Sequence, residues 1–471
     1  MVLVIPLLGT IIGTAVGCWM GSGLTRMYAK FYQFPVFSFQ LDTRVAIWGV
    51  AISCGAAVMG TLAAVWRAMS LAPAEAMRPE PPSSYRPTLL EKTGLGGMLS
   101  QTARIILRNI ERRPLKAALS VVGIGVGVSV LVLGSFMLDA INYVMDYQFR
   151  LAQRQDVTLT FIEPTSARSM HEVAHLPGVL KSEPFRAIQV RLRHGHRHER
   201  SSILGLTKSD SLYRLIDDQE RQVSIPSRGL LLSSKLADQL DANPGDTLTV
   251  EILEGERKVQ RCRVAALITE FSGMNAYMHV DALRRMNQEG DSSTGAFVQV
   301  DPARIDEFHK TIKETPRVAG IAIKSAMLES FQKTVAENML QMRSFNIMFA
   351  TIIAFGVVYN SARISLSERS RELATLRVIG FTRAEISGIL LGELGVLTIL
   401  ALPVGTAMGY AFAWLATFGL DTEIYRIPLV VESSTFAYAN LVVLISAMVS
   451  ALIVRRRLDH LDLIAVLKSR E

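Results

Sequence analysis

The stretch Arg67-Ala-Met-Ser-Leu-Ala-Pro-Ala-Glu-Ala-Met-Arg78 follows an apolar run near the start of the chain. At a constant offset, Arg457-Leu-Asp-His-Leu-Asp-Leu-Ile-Ala-Val-Leu-Lys468 follows the last apolar run. Further upstream, Leu8-Gly-Thr-Ile-Ile-Gly13 reappears as Val404-Gly-Thr-Ala-Met-Gly409. Self-similarity at a nearly fixed spacing indicates a duplicated structural unit. The sequence therefore predicts one complete membrane module, preceded by the tail of another copy.

Composition fits a membrane protein with a large soluble insert. A mean hydropathy of +0.28 with 49% hydrophobic residues is too apolar for an ordinary soluble protein, whereas 20% charged residues is too many for membrane alone. The net charge of +8 is clustered beside apolar runs, which favours membrane orientation over nucleic-acid binding. Cys18, Cys54 and Cys262 match no disulfide framework or metal spacing.

Six uncharged stretches are long enough to span a bilayer, which takes roughly 20 apolar residues. They cover residues 2–24, 45–66, 117–138, 345–362, 394–420 and 436–454. The fifth carries Pro403, which predicts a kinked or partly interfacial helix. Arginine and lysine cluster in 67–116, in 363–383 and after residue 454. The positive-inside rule places these regions and both termini in the cytoplasm, and the insert 139–343 outside.

This layout carries the motif Ser367-Glu-Arg-Ser-Arg-Glu-Leu-Ala-Thr-Leu-Arg-Val-Ile-Gly380 between two spans. With that motif, the chain resembles the FtsX-like permease family, the MacB/Lol-type membrane subunits of ABC transporters. In the insert, residues 229–248 and 277–283 look like the periplasmic core domain of that family. The resemblance implies an α-helical membrane protein with six transmembrane helices and one large extracytoplasmic α/β domain of the MacB-like periplasmic core type.

Five segments follow from the spans and the resemblance. Residues 1–78 hold the last two transmembrane helices of a truncated first module, and 79–97 form a proline-rich cytoplasmic linker. Residues 98–138 combine an amphipathic helix with the first span of the second module. The extracytoplasmic domain takes 139–343, and the FtsX-like domain with three spans takes 344–471. By the repeat offset the first copy lacks its opening half, so we expect a C-terminal portion of a longer duplicated permease, a mis-assigned start, or a split permease.

The cytoplasmic motif predicts a short helix with one apolar stripe, ended by Gly380 in a left-handed conformation. Thr382-Arg-Ala-Glu385 then reads as a capping box. Family resemblance makes this segment the docking site of a separate ABC-type ATPase; a solvated turn is the alternative. The expected coupling residues are Glu368, Arg369, Arg371, Glu372, Leu373, Leu376, Ile379 and Gly380, supported by residues 73–78 and 463–468.

No ATP-binding chemistry is encoded in the chain. A phosphate-binding loop ends in Gly-Lys-Ser/Thr, and the sequence holds no Gly-Lys dipeptide. No catalytic arrangement, cofactor or metal site is predicted, so the chain is not expected to be an enzyme. Alternate histidines at 194, 196 and 198 could bind a metal, but a polar hairpin turn is the favoured interpretation.

Small residues predict where the helices pack. Glycines repeat every four residues in three of the spans, which permits close backbone approach in lipid. A permeation path is the less favoured interpretation, because intramembrane carboxylates are scarce. Glu393 is the exception, and a structural role near the cytoplasmic interface is expected for it. The predicted packing residues are Gly9, Gly13, Gly17, Gly21, Gly123, Gly127, Gly405 and Gly409.

Alternating apolar and polar residues predict extracytoplasmic strands at 188–193, 202–206, 247–253 and 259–268. Helices are predicted at Ser234–Leu240, Val280–Asn287 and Ile305–Lys313. The expected function is a mechanotransmission permease, whose external domain handles an amphiphile, lipoprotein or exported small molecule. A non-transporting regulator of a cell-wall hydrolase or sensor is the alternative. Expected partners are the ATPase, the missing half or a second permease copy, an adaptor or lipoprotein carrier, and the bilayer, but no nucleic acid.

Overall fold

A computed structural model describes residues 4–31, 39–70, 101–207, 212–271, 273–368, 375, 378–420 and 426–459. The chain forms two compact units, Met1–Thr93 and Gly94–Glu471. The described residues of the first unit form two apolar helices that contact each other, α1 (Val4–Phe31) and α2 (Thr43–Ser70). The predicted linker 79–97 and the supporting segments 73–78 and 463–468 lie outside the described residues.

The membrane part of the second unit is a bundle centred on one helix, α4. Three long helices contact α4, and the shared core consists of small and branched apolar side chains such as Ile124, Ala354 and Ala439. Shape-matched packing of this kind holds helices together in lipid. A short amphipathic helix, α3, packs against α10. The bounds are α3 (Gln101–Arg112), α4 (Pro114–Asp146), α9 (Lys324–Glu368), α10 (Arg383–Leu420) and α11 (Ser433–Asp459).

Five of the described helices, α2, α4, α9, α10 and α11, are long and apolar enough to cross a membrane. The first helix contributes the shorter apolar stretch Leu7–Gly23, so the predicted count of six spans is not confirmed. Pro403 lies inside α10, which continues on both sides of it as one helix.

Two helices run beyond the predicted spans toward the α/β domain. The first, α4, extends to Asp146 and continues as a π-helical segment, Tyr147–Ala152. The second, α9, begins at Lys324, well before the apolar part that starts near Gln341. Because both helices continue without a break, the α/β domain is attached to the bundle through helical connections rather than through loops.

Among its described residues, the α/β domain has nine strands and four short α-helices. The predicted helices are confirmed, and the predicted strands correspond to β2, β3, β5 and β6, with the prediction for β5 one residue too long. The strands are β1 (Val157–Ser166), β2 (Val179–His194), β3 (Arg197–Leu206), β4 (Leu230–Ser233), β5 (Thr247–Ile252), β6 (Val259–Ile268), β7 (Ala276–His279), β8 (Ser292–Val300) and β9 (Val318–Ile323). The helices are α5 (Ala167–Ala174), α6 (Ser234–Leu240), α7 (Val280–Asn287) and α8 (Ile305–Lys313).

The sheet order is β3-β7-β4-β6-β5-β2-β8-β1-β9, and an added β2–β3 pairing closes the first six strands into a barrel. Alternate residues fill its interior, including Leu192 on β2 and Val250 on β5. The remaining three strands extend the sheet beyond the barrel, and α5 and α8 cover this extension around Phe308. One core therefore lies inside the barrel and a second lies under the extension.

Candidate functional site

An aromatic contact, which we call the joint, connects the α/β domain to α4. The ring of Phe271 lies edge-on to Tyr147 and Tyr143, with centroids 4.9 and 5.7 Å apart. The Tyr147 hydroxyl donates to the Ile216 carbonyl, and Tyr143 donates to the Glu220 carboxylate at 3.0 Å. On the other side, the Arg426 amide donates to the Phe271 carbonyl at 3.0 Å. Rigid aromatic packing with directed hydrogen bonds ties the domain to the end of α4.

A buried polar network lies directly behind the joint. Tyr277 donates to the Glu270 carboxylate at 2.9 Å, and the Asn275 side-chain amide donates to it at 3.0 Å. Burial raises the pKa of Glu270 to about 7, although both hydrogen bonds favour the ionised form. Burial likewise raises the pKa of Tyr213, a neighbour of Tyr277, to about 12. The carboxyl group of Glu270 therefore changes protonation near neutral pH, one residue from the aromatic contact.

A cavity of about 1120 Å³ opens beside the joint, between the end of α4 and the first turns of α9. Apolar side chains of both helices cover one part of it, and charged side chains cover the rest. Its apolar lining comes from Leu138, Tyr143, Met145, Phe149, Leu328, Phe331 and Val430. Its polar lining comes from Asn142, Asp146, Arg150, Arg154, Lys324, Gln332, Arg343 and Glu432.

Four basic and two acidic side chains give the cavity an excess of positive charge. Arg150 and Asp146 pair at 2.8 Å, while the Arg343 guanidinium lies 4.1 Å from the centroid of the Tyr438 ring. The cationic side chains can contact an anionic group, and the apolar side chains can contact a hydrocarbon chain. The volume suits a ligand of several hundred daltons. Spacing along the sequence did not reveal this site, because its lining comes from segments nearly 300 residues apart.

The same end of α4 carries a buried carboxylate that anchors α11. Asp139 is 6% exposed, and it accepts from the Thr435 hydroxyl at 2.7 Å and from the Glu432 amide at 3.1 Å. Both donors belong to the first turn of α11 or the residue before it, where backbone amides lack helical partners. Asp139 thereby fixes the segment that contributes Val430 and Glu432 to the cavity.

Glycines mark a close contact of α4 with α9 and α10, which we call the seam. A Cβ added at Gly405 would lie 2.6 Å from the Gly125 carbonyl oxygen, and one at Gly409 would lie 2.6 Å from Val132 Cβ. On the α9 side, a Cβ at Gly127 would meet the Ala350 carbonyl oxygen at 3.3 Å, and one at Gly123 would meet Val357 at 3.1 Å. Gly125, which the four-residue spacing did not single out, is the counterpart of Gly405.

The glycines of α1 have different surroundings. Among the described residues, no atom lies within 4 Å of a Cβ added at Gly9, Gly13 or Gly17. A Cβ at Gly21 would collide with the ring of Phe39. Packing at the first three positions therefore stays a prediction.

Glu393 lies ten residues after the start of α10. It is 7% exposed and borders a cavity of about 10 Å³, together with Arg113, Lys116 and Ser361. Nearby, Ser120 and Ser361 share a hydrogen bond of 3.1 Å, and Lys116 donates to Ser365 at 3.4 Å. This polar cluster connects α4, α9 and α10, and a cavity so small leaves room for little more than a water molecule.

Most of the predicted coupling segment lies outside the described residues. Arg369, Arg371, Glu372, Leu373 and Leu376 belong to that part, and so does the side chain of Glu368. The structure places Ile379 70% exposed and Gly380 at a φ of +111°, which confirms a positive-φ end for this segment.

The capping box that follows is also confirmed. Glu385 accepts from the Thr382 amide at 2.8 Å, and the Glu385 amide donates to the Thr382 hydroxyl at 3.2 Å. The described residues include no cluster of three or more potential metal ligands, and Cys18, Cys54 and Cys262 carry free thiols.

Comparison with known proteins assigns both parts of the second unit. Residues 117–315 match the family described as MacB-like periplasmic core domain, and residues 344–462 match the FtsX-like permease C-terminal family. No curated protein sequence matches the chain.

Two solved structures are similar to the α/β part. The extracellular domain of the noncanonic ABC-type transporter YknZ from Gram-positive bacteria is 12% identical, with a TM-score of 0.27, over 36% of this chain and 98% of that one. The periplasmic region of MacB from Actinobacillus actinomycetemcomitans is 12% identical, with a TM-score of 0.29, over 40% of this chain and 97% of that one. By the two family matches, at residues 117–315 and 344–462, the chain belongs to the FtsX-like, MacB-type permease family of ABC transporters.

Proposed function

We propose that this chain is a mechanotransmission permease of the bacterial inner membrane, and that its cavity beside the joint receives an amphiphile. The observation that carries the proposal is the position of the cavity. It opens where α9 begins, ahead of its apolar part, and where α4 continues into the π-helical segment next to the α/β domain. A ligand there can contact hydrocarbon-like side chains and charged groups together.

Coupling follows from the way α4 is held. The seam joins α4 to α10, whose first turn begins with the capping box after Gly380. At its other end, α4 contacts the α/β domain through Phe271. A displacement of the 368–380 segment by an ATPase would therefore move α4 and α10 together, and the joint would pass that movement to the α/β domain.

The lining favours an anionic amphiphile over a neutral one. Arg150, Arg154, Lys324 and Arg343 outnumber Asp146 and Glu432, and charge pairs in a partly desolvated site are stronger than in water. Leu328 and Phe331 provide the apolar wall on α9. Lipoprotein release and efflux of a small amphiphile would both use a site of this kind.

The test uses the full chain with its ATPase in lipid nanodiscs, and lysophosphatidylglycerol as the anionic single-chain probe. Leu328→Glu places a carboxylate in the apolar wall, and Met327→Glu places the same group on the neighbouring 48% exposed position outside the cavity. We expect Leu328→Glu to raise the half-maximal probe concentration for ATPase stimulation by about tenfold. Met327→Glu should leave it within about twofold of the parent.

Equal responses of the two variants would contradict the cavity assignment. Intact ATPase coupling with no probe binding at all would favour a regulator, in which the same movement of the α/β domain activates an extracellular hydrolase or sensor. The same titration with dodecyl maltoside, a neutral amphiphile, distinguishes recognition of the anionic headgroup from simple insertion of a hydrocarbon tail.

A further inference from the structure

The exposed side of the barrel carries a second chemical feature, unrelated to the cavity. Strands β3, β2, β5 and β6 are neighbours, and their inward residues form the barrel core. Directly opposed residues of antiparallel strands share one face of a sheet. The register therefore determines which side chains meet on the outer surface.

Two rows cross these four strands. In one row, His198 pairs with Arg193, Arg193 with Thr249, and Thr249 with Arg261. In the next, Arg200 pairs with Arg191, Arg191 with Glu251, and Glu251 with Val259. A third row begins with Arg263, which pairs with Thr247. We call this surface the cationic face; it is formed by Arg191, Arg193, His198, Arg200, Arg261 and Arg263 around Glu251.

Glu251 holds two of these arginines in place. Its carboxylate lies 3.2 Å from Arg191 Nη1 and 3.0 Å from Arg193 Nη1. One carboxylate cannot neutralise five arginines, so the face keeps a strong positive potential. The other side of the barrel differs, because the loop carrying Leu212 and Leu215 covers the outer residues Leu231 and Tyr277.

A pocket of about 510 Å³ adjoins the cationic face. It is lined by Arg228, Gly229, Pro244, Gly245 and Arg263, together with Val264 and Ala265. Gly229 and Gly245 adopt φ values of +87° and +107°, and a Cβ at Gly229 would lie 2.7 Å from the Arg263 carbonyl oxygen. Both glycines therefore keep the wall next to the two guanidinium groups free of side chains.

We propose that the cationic face docks an extracytoplasmic protein through a carboxylate-rich surface, and that one carboxylate of this partner enters the pocket between Arg228 and Arg263. Three observations favour a folded protein over the bilayer or a polymeric anion. The face spans four strands and is broad rather than groove-like, and arginine-rich surfaces with complementary charge are typical of protein interfaces. Its central Glu251 would repel an evenly charged polyanion.

The third observation is distance from the membrane. Strand β6 runs from the cationic face toward the joint, and Arg261 precedes Ile268 by about 23 Å of extended strand. Phe271, which contacts α4, comes later still. Lipid headgroups near the joint are therefore remote from Arg261.

The experiment measures binding of a fluorescent peptide in which glutamate alternates with serine, so that its carboxylates are spaced apart as on a protein surface, to the full chain in neutral nanodiscs. Arg261→Glu with Arg263→Glu should weaken binding at least about tenfold. The control, Lys310→Glu with Lys313→Glu, makes the same change in charge on exposed positions of α8 and should change it less than about twofold. Equal weakening by the two pairs would overturn the proposal.

A second arm identifies the class of partner in cells. A photo-crosslinking amino acid at Thr249, an uncharged position within the face, should form an adduct with a protein segment rich in Asp and Glu. That adduct should disappear with Arg261→Glu plus Arg263→Glu and persist with the α8 control pair. A lipid or glycan adduct, or an adduct insensitive to charge reversal, would overturn the assignment, and a protein adduct without acidic residues would do the same.

Discussion

Helix α4 is held in two contrasting ways along its length. At the seam, glycines bring its backbone against α10, and a Cβ at Gly405 would lie 2.6 Å from the Gly125 carbonyl oxygen. At the joint, aromatic rings and hydrogen bonds hold it to the α/β domain, next to a carboxyl group with a pKa of about 7. The close glycine contacts of the seam leave little room for α4 and α10 to move independently, whereas the joint borders a carboxyl group that titrates near neutral pH and the cavity proposed to receive a ligand. A movement transmitted through α4 would therefore depend on pH and on bound ligand where α4 meets the α/β domain.

The largest expected effect comes from overfilling the seam. Gly405→Leu forces side-chain atoms into the backbone of α4, so we expect a loss of about 3 kcal/mol or more in the free energy of unfolding. SDS-titrated unfolding of the full chain in mixed micelles measures it. Gly13→Leu, at a position with open space among the described residues, is the matched control and should change stability by less than about 0.5 kcal/mol. Comparable losses in both variants would remove the distinction between a packed and an open glycine.

The joint should show a pH dependence that the seam lacks. Because the pKa of Glu270 is raised from 4.5 to about 7, the folded protein retains this proton more tightly than the unfolded chain. The contribution of Glu270 to stability is therefore fully present below about pH 4.5, falls as pH rises to about 7, and is constant above that. The total change is at most about 3 kcal/mol.

Thermal midpoints of the full chain from pH 4 to pH 8 measure this dependence. Glu270→Gln keeps the size of the side chain and cannot ionise, so it should flatten the profile. Glu183→Gln is a control carboxylate in the same domain, where Glu183 accepts from the Leu212 amide at 2.7 Å. If Glu270→Gln retained the parent profile, another group would be responsible.

A smaller effect is expected where α10 begins, beyond the seam. Thr382→Ala removes both hydrogen bonds of the Thr382 hydroxyl, one from the Glu385 amide and one to the Glu385 carboxylate, which should cost about 1 kcal/mol. Thr382→Ser keeps the hydroxyl and should recover most of it. If the ATPase moves the start of α10, Thr382→Ala should also lower stimulation of the ATPase by ligand, although the glycine contacts of the seam are unchanged. Unchanged stimulation would show that the capping box has no part in coupling.

The smallest stability effect is expected at the rim of the cavity. Arg150 and Asp146 form an ion pair with side chains 75% and 48% exposed, so Arg150→Gln should change stability by less than about 0.5 kcal/mol. The same variant should weaken binding of lysophosphatidylglycerol, because it removes one of four cations from the lining. Titration of the probe measures this, and unchanged binding would take Arg150 out of the ligand site.

Local patterns predicted local structure well. Alternation over 188–193 and the Gly195-His196 turn correspond to the β2–β3 hairpin, in which His194 pairs with Arg197. The capping box at Thr382 was visible because its partner lies three residues away. Features built from distant segments could not be found in this way. The parallel pairings of β3 with β7 and of β4 with β6, which complete the barrel together with the β2–β3 hairpin, join strands that are not consecutive in the sequence.

The same limit applies to the candidate sites. Glycine spacing indicated Gly405 and Gly409 but missed Gly125, because the contact depends on the partner helix rather than on spacing. Glu270 carried no sequence signal, since its pKa depends on burial beside Tyr277. The cavity combines residues from α4, α9 and the segment before α11.

The most direct test of transmission through α4 is a distance measurement across the whole path. Spin labels are placed at Val378, 69% exposed beside Gly380, and at Lys310 on α8, after replacement of the three native cysteines by Ser. Pulsed electron resonance then compares the chain bound to its ATPase, with and without ATP, in the parent and in Phe271→Ala. We predict that ATP shifts the distance distribution in the parent, and that Phe271→Ala still binds the ATPase but loses the shift. An equal shift in both proteins would contradict transmission through the joint.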